Sequence, residues 1–231
     1  KILNPTFSKH PRFLFVPENY TAECSDFHPM EEATAYDGCS DVEMEVLEQT
    51  IPGTCSGEYT ISRTFIATDD CGNSSIASQL ITIVDTTSPV FVSIPSDYES
   101  DCTAELVDEN ATASDNCGDV TIEVFDSEIP GLCSGEYTIM RTFIATDDCG
   151  NSSVAVQTIS VVDTRAPVFT IVPADYTAEC SDDLSSQEAL AVDGCGEVGI
   201  EVIDQVIPGS CSGEYTISRV FIATDDCGNS A

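Results

Sequence analysis

The sequence has no tryptophan, two histidines and three methionines, and only seven lysines and arginines stand against 41 aspartates and glutamates. A formal charge of −34 excludes a nucleic-acid or anionic-membrane partner and attracts divalent cations or basic partners instead. No apolar run reaches the ~20 residues that a membrane helix needs, so no membrane insertion is expected, and no signal peptide stands at the start. No helical period is sustained. His10 and His28 lie in unrelated contexts, and no Ser, Cys or carboxylate stands in a nucleophile or metal motif. The chain therefore reads as no enzyme.

What the chain has instead is repetition. CSGEYTISRTFIATDDCGNSS begins at Cys55 and returns almost unchanged at Cys133 and Cys211, a spacing of 78 residues each time. Pro11, Pro89 and Pro167 keep that register, as do Tyr20, Tyr98 and Tyr176. Each copy must be one folding unit. The repeats read as 11–87, 88–165 and an incomplete 166–231, preceded by an N-terminal extension, 1–10. Eleven prolines, fourteen glycines and runs rich in Val, Ile, Thr, Phe and Tyr predict an all-β chain of tandem antiparallel, immunoglobulin-like sandwiches. In the first repeat the expected strands are Arg12 to Val16, Tyr20 to Glu23, Glu32 to Ala35, Val42 to Glu48, Glu58 to Thr68 and Ile76 to Asp85. Linkers 85–89 and 163–167, stiffened by Pro89 and Pro167, predict a semi-rigid rod.

The third copy halts at Ala231, before the strand that follows Ser75 and Ser153, whereas 1–10 occupies the register of that last strand. Beginning at Lys1 rather than Met, the chain reads as a mature or partial segment. A sandwich without its final strand leaves a groove that a strand from another copy can fill, giving heterologous head-to-tail assembly. Ile2, Leu3 and Phe7 are then the inter-protomer side chains. Pro5 counts against donation, and a longer array or an ordinary tail are the rival readings.

The Asp85–Pro89 linker DTTSP, DNCG at Asp115 to Gly118, PGLC at Pro130 to Cys133 and ATDDCGN at Ala145 to Asn151 together resemble the hyalin-repeat family over essentially the whole chain. The resemblance implies an extracellular immunoglobulin-like module associated with adhesion and matrix assembly, without catalysis.

Twelve cysteines, four per repeat and never as C-x-x-C, read as a disulfide framework outside the cytosol. Four cysteines allow three connectivities. Sandwich topology places Cys24 and Cys55 at one end of the repeat and Cys39 and Cys71 at the other, so the expected pairs are Cys24–Cys55 and Cys39–Cys71. The same logic gives Cys102–Cys133, Cys117–Cys149, Cys180–Cys211 and Cys195–Cys227, each bridge worth about 3 kcal/mol.

Aspartates gather at the second end: Asp37, Asp69 and Asp70, then Asp115, Asp147 and Asp148, then Asp193, Asp225 and Asp226. With the linker aspartates Asp85 and Asp163 they form a candidate interdomain calcium set, against the plainer reading of turn-forming side chains. Arg63, Arg141 and Arg219 share the parity of Tyr59, Ile61 and Phe65, which face the core, so each needs a carboxylate; Glu45, Glu123 and Glu201 are the candidates. Sequons at Asn19, Asn73, Asn110 and Asn151 mark candidate glycan sites. The expected function is a structural subunit of an extracellular filament or surface fibre whose partner is a further copy of itself. The alternative is a monomeric adhesin or receptor stalk binding a glycan or protein.

Overall fold

The computed structural model describes residues 10–179, 181, 182, 184 and 188–231. It is all-β, with sixteen strands and no helix among the described residues. The chain divides into two compact units. The first holds the described residues up to Ser93 together with Ala111–Glu123 and Ile144–Val154; the second holds Ile94–Asn110, Val124–Phe143 and Ala155–Ala231.

The first repeat, within the first unit, contains β1 (Arg12–Phe15), β2 (Tyr20–Glu23), β3 (Thr34–Tyr36), β4 (Val42–Pro52), β5 (Tyr59–Asp69) and β6 (Ser74–Val84). β1 and β3 form a two-stranded sheet, and a second sheet runs β2-β6-β5-β4. Alternation along YTISRTFIATD puts Arg63, Phe65, Ala67 and Asp69 of β5 on one buried face. Phe65, Ile81 and Ile83 are almost wholly enclosed there, each worth about 1.5–3 kcal/mol of apolar burial. β4 extends four residues beyond its expected end at Glu48, because every residue from Val42 to Pro52 finds a partner on β5. The purely antiparallel expectation is corrected in one pair: β2 runs parallel to β6, with Tyr20 opposite Ile81.

The second repeat contributes β7 (Val90–Ser93), β8 (Tyr98–Asp101), β9 (Thr112–Ser114), β10 (Val120–Pro130), β11 (Tyr137–Asp147) and β12 (Ser152–Val162). In the first unit β7 pairs with β9. In the second unit β8 runs parallel to β12, and Ile139, Ile159 and Val161 form a core cluster flanked by Tyr98, Leu106 and Tyr137.

The third repeat holds β13 (Val168–Ile171), β14 (Leu190–Val192), β15 (Val198–Pro208) and β16 (Tyr215–Asp225), as two two-stranded sheets. Among the described residues, the outer edge of β16, where β6 and β12 sit in the earlier copies, carries a bridge from Thr224 to Ser230. Residues 176–179, the counterpart of β2, form no strand. Val220 of β16 is correspondingly half exposed.

Candidate functional site

The repeated ATDDCGN element closes the turn between the last two long strands. Asp69 Oδ1 accepts from the amides of Cys71 and Asn73 at 2.9 and 2.8 Å, and Asn73 Nδ2 donates back to Asp69 Oδ2. Asp147 repeats the pattern, and Asp225 repeats its two bonds from the asparagine, here Asn229. Gly72, Gly150 and Gly228 carry φ of 82, 91 and 91°, a left-handed backbone that explains the invariant glycine. These turns aim Cys71, Cys149 and Cys227 out of the end of their repeats. A second Asx turn does the same for the other cysteine of that end, with Asp37, Asp115 and Asp193 accepting from the amides of Cys39, Cys117 and Cys195.

At two junctions these ends meet the preceding repeat, each junction lying inside one unit. In the first unit Cys24 is bonded to Cys117 and Cys55 to Cys149, with Cα separations of 6.0 and 5.1 Å. In the second, Cys102 is bonded to Cys195 and Cys133 to Cys227, at 5.9 and 5.1 Å. All four bridges join consecutive repeats. This corrects the within-repeat pairs Cys24–Cys55, Cys102–Cys133, Cys117–Cys149 and Cys195–Cys227. In each bridge the bonded sulfur belongs to the neighbouring repeat. Cys39 and Cys71, expected to pair with each other, are both exposed and unpaired, as is Cys211; Cys180 lies outside the described residues.

Polar contacts follow the bridges. Ser56 Oγ donates to Asp148 Oδ2 at 2.7 Å, and Ser134 gives both its amide and its hydroxyl to Asp226 Oδ2. Those bonds hold the Asp226 carboxyl below its ordinary range. Asn151 Nδ2 donates to the Asp85 carbonyl at 3.1 Å, and Asn229 does the same to Asp163 at 3.2 Å. A Cβ on Gly57 would come within 2.9 Å of Asp85 Cβ and 3.1 Å of Cys117 Cβ, and one on Gly135 within 2.9 Å of Cys195 Cβ. Gly57 and Gly135 are held to glycine because the linker aspartate and a cysteine of the next repeat pack against them. The linkers are tied down too. Glu23 accepts from Thr86 and Thr87, whereas its counterpart Asp101 pairs with Arg165 at 3.0 Å.

The linker aspartates are the strained groups. Asp85 and Asp163 are each only 5% exposed. Burial, reinforced by Asp115 and Asp147 around the first and by Asp193 and Asp225 around the second, pushes both carboxyls up. Oδ2 of Asp115 and Oδ2 of Asp163 are buried without a hydrogen-bond donor. Oxygens of Asp85 and Asp147, and of Asp163 and Asp193, lie within 4.8 Å of one another. Sulfurs beside them are already bonded to sulfur, so only the carboxylates are available to a cation. Asp148 and Asp226, expected in the same set, are engaged by Ser56 and Ser134 instead.

Arg63 is 4% exposed and donates to Glu48 at 2.8 Å, to the Glu31 carbonyl and to Gln79, above the ring of Phe65. Arg141 pairs with Asp126 and Arg219 with Asp204. The acids opposite are therefore Glu48, Asp126 and Asp204, not Glu45, Glu123 and Glu201. Register decides it: Glu48 stands directly across from Arg63, while Glu45 faces Ile66. An acid recurs at that position in all three copies, a signal that was available in the sequence.

Of the sequons, Asn110 is exposed, and Asn19 is exposed with its oxygen accepting from the amide of Leu80. Asn151 has both amide hydrogens committed, to Asp147 and across the junction to Asp85, so a glycan there is incompatible with the junction. Asn73 is bound to Asp69. Ile2, Leu3 and Phe7 lie outside the described residues.

No family model and no curated protein matches the chain. Solved structures similar to it include the EC1-4 segment of Drosophila N-cadherin, 14% identical over 95% of this chain and 65% of that one, with a TM-score of 0.33. The chain spans about two thirds of the length of that segment. Protocadherin gamma B2 domains 3-6 are 17% identical over 96% of this chain and 71% of that one, at 0.35. Human protocadherin-24 EC1-2 is 15% identical over 67% and 99%, at 0.30. At these identities and TM-scores the likeness assigns neither activity nor partner. The hyalin-repeat resemblance rests on the motifs of the chain alone.

Proposed function

We propose that the chain is an extracellular structural array: β-sandwich repeats in series that carry tension in an adhesive surface fibre or matrix. The observation that carries this is the pair of disulfides at each junction. Such bonds persist outside the cytosol, and here they tie each repeat to its neighbour. A binding module has no need of two covalent locks per junction; a tether does. Antibody labelling of intact source cells, with attachment of cells to surfaces measured after deletion of the gene, tests it. Label confined to the cytosol, or attachment unchanged by deletion, overturns it.

Calcium at the junctions fits in part. Asp85, Asp115 and Asp147, and likewise Asp163, Asp193 and Asp225, would supply three carboxylates, of which Asp115 Oδ2 and Asp163 Oδ2 have no donor. Calcium takes six to eight oxygens, so water would complete the set. The ion would neutralise the crowded carboxyls and stiffen the linker. Titration with calcium chloride against a chelator should raise the melting temperature, and Asp163→Asn should reduce that rise. Exposed Asn19 and Asn110 are the sequons open to glycans if the source glycosylates asparagine.

Extension by strand addition would use the outer edge of β16, which among the described residues belongs to a two-stranded sheet. Its donor segment lies outside the described residues, and the bridged junctions order the repeats without it. The stalk reading is favoured by a groove of about 960 Å³ in the first repeat, beside Phe27, Tyr20, Asp26 and Glu31. Retention of a saccharide by the isolated chain, lost on Phe27→Ala, would support it.

A further inference from the structure

We propose that the outer edge of β4, repeated in β15, is a docking site for an extended peptide segment whose alternate side chains are basic and apolar, added as a further strand of the sheet. The site lies on the flank of a repeat and not at its ends, so it goes beyond the tether reading.

β4 stands at the edge of the sheet β2-β6-β5-β4. It pairs with β5 along all eleven residues from Val42 to Pro52, and no bulge interrupts the register. β15 does the same against β16 from Val198 to Pro208. Among the described residues nothing pairs with the other side of either strand. A long, regular edge presents a row of unpaired N–H and C=O groups, which proteins usually blunt with lysine, an internal proline or a bulge. Neither strand carries any of these, and the one proline of each is its last residue.

The side chains along the edge repeat as well. Leu47, Gln49 and Ile51 stand across from Thr64, Ser62 and Thr60, on the face of the sheet away from Phe65. Leu47 and Ile51 are about half exposed, as are Ile203 and Ile207 of β15. Glu45 and Glu201 precede them on the same face, exposed and without an ion pair. At alternate positions the face therefore reads acid, apolar, polar, apolar. The second repeat, with a neighbour on either side, has the same order in Glu123, Phe125, Ser127 and Ile129. Phe125 and Ile129 are exposed there too, so an adjoining repeat does not cover them.

Charge decides the occupant. Of the seven lysines and arginines, Arg63, Arg141, Arg165 and Arg219 are already paired with carboxylates. A second copy, at −34, is repelled and has few cations left to offer Glu45. A separate segment bearing lysine or arginine meets neither obstacle. Backbone pairing along the edge supplies the affinity, and the alternate side chains supply the choice of partner. Opposite-charge and apolar cross-strand pairs make that choice. The partner accordingly sets a basic residue against Glu45 and apolar residues against Leu47 and Ile51, at every second position.

The probe is a fluorescent peptide, Lys-Thr-Val-Thr-Thr-Thr-Val-Thr-Lys, which presents the same alternate residues in either strand direction. Anisotropy with the full chain at physiological salt should show saturable binding. Methylation of two consecutive central amides of the peptide should weaken it at least tenfold, and so should Glu45→Lys with Glu123→Lys and Glu201→Lys. Hydrogen exchange should show the peptide protecting amides of β4 and β15. A scrambled peptide of the same composition that binds as tightly, or exchange in β4 and β15 that the peptide leaves unchanged, overturns the proposal. So does self-association of the chain through β4 in the ultracentrifuge, which would make a second copy the occupant. None of these results bears on whether the protein acts as an extracellular tether.

Discussion

Pulling on the ends of the chain reads out its covalent connectivity directly. With the bridges intact, the shortest covalent path runs from the N-terminus to Cys24, across to Cys117, along to Cys133, across to Cys227 and on to Ala231. That path is about 45 residues, so even a fully unfolded chain extends only about 150 Å at some 3.5 Å per residue. Reduction frees the whole chain, which then reaches about 800 Å. Within-repeat pairing would leave a path of about 135 residues and an extension of about 470 Å. Optical tweezers with handles at both termini and the unpaired thiols blocked separate the three values easily. Replacing Cys133 and Cys227 by alanine reroutes the path through Cys102–Cys195 and lengthens it to about 75 residues, or about 260 Å. An oxidised extension near 470 Å would refute the cross-repeat connectivity and the mechanical reading built on it.

Three further outcomes follow from single contacts. Gly135→Ala drives a Cβ into Cys195 and Asp163, and overpacking of this kind costs about 1–3 kcal/mol; Gly38→Ala, with nothing within 4 Å, should stay within about 0.5 kcal/mol in chemical denaturation. Arg63→Ala strips donors from the Glu31 carbonyl and from Gln79 and should cost about 3 kcal/mol by urea midpoint, whereas Arg219→Ala, which loses a solvent-screened pair with Asp204, should shift the midpoint far less. Hydrogen bonds from Arg141 hold the Asp126 carboxyl below its ordinary value, so its contribution is present above the unfolded pKa and is lost as pH falls through the folded one. Asp126→Asn should therefore destabilise at pH 7 and cease to matter near pH 2, as a series of denaturant titrations would show.

The period, the order of strands and the turn glycines were legible because each is written locally. Tyr20–Glu23 was placed to the residue, and Thr34–Tyr36 within two. What sequence reasoning missed was relational. Register across β4 and β5 sets Glu48 and not Glu45 against Arg63, and a three-residue error moves the partner to the other face of the sheet. The cysteines failed for a different reason. A 78-residue period gives the same spacings whether Cys55 reaches back to Cys24 or forward to Cys149, so periodicity itself hides the choice. The glycine of CSGEY was the overlooked signal. Gly57 and Gly135 have no positive φ to explain them, and it is close approach by the linker aspartate and by a cysteine of the next repeat that makes a side chain intolerable there.

Pairing across the junction also changes what each bridge contributes. In the chain-entropy account, a within-repeat bridge closing about 31 residues stabilises by about 3.7 kcal/mol, and one closing 94 residues by about 4.7 kcal/mol. The gain of about 1 kcal/mol per bridge goes to the coupling between neighbours and not to any single repeat. Stability of a tandem array is approximately the sum of repeat terms and nearest-neighbour terms. A 78-residue sandwich has a small core, and here no bridge closes within a repeat among the described residues. The interface term therefore carries a large share, and a fault at one junction weakens both repeats that meet there. It follows that opening one junction by Cys133→Ala with Cys227→Ala should loosen both the second and the third repeat and not one of them alone. Hydrogen exchange checks this: protection should fall around β11 as well as β16, and a loss confined to one repeat would remove the interface from the account.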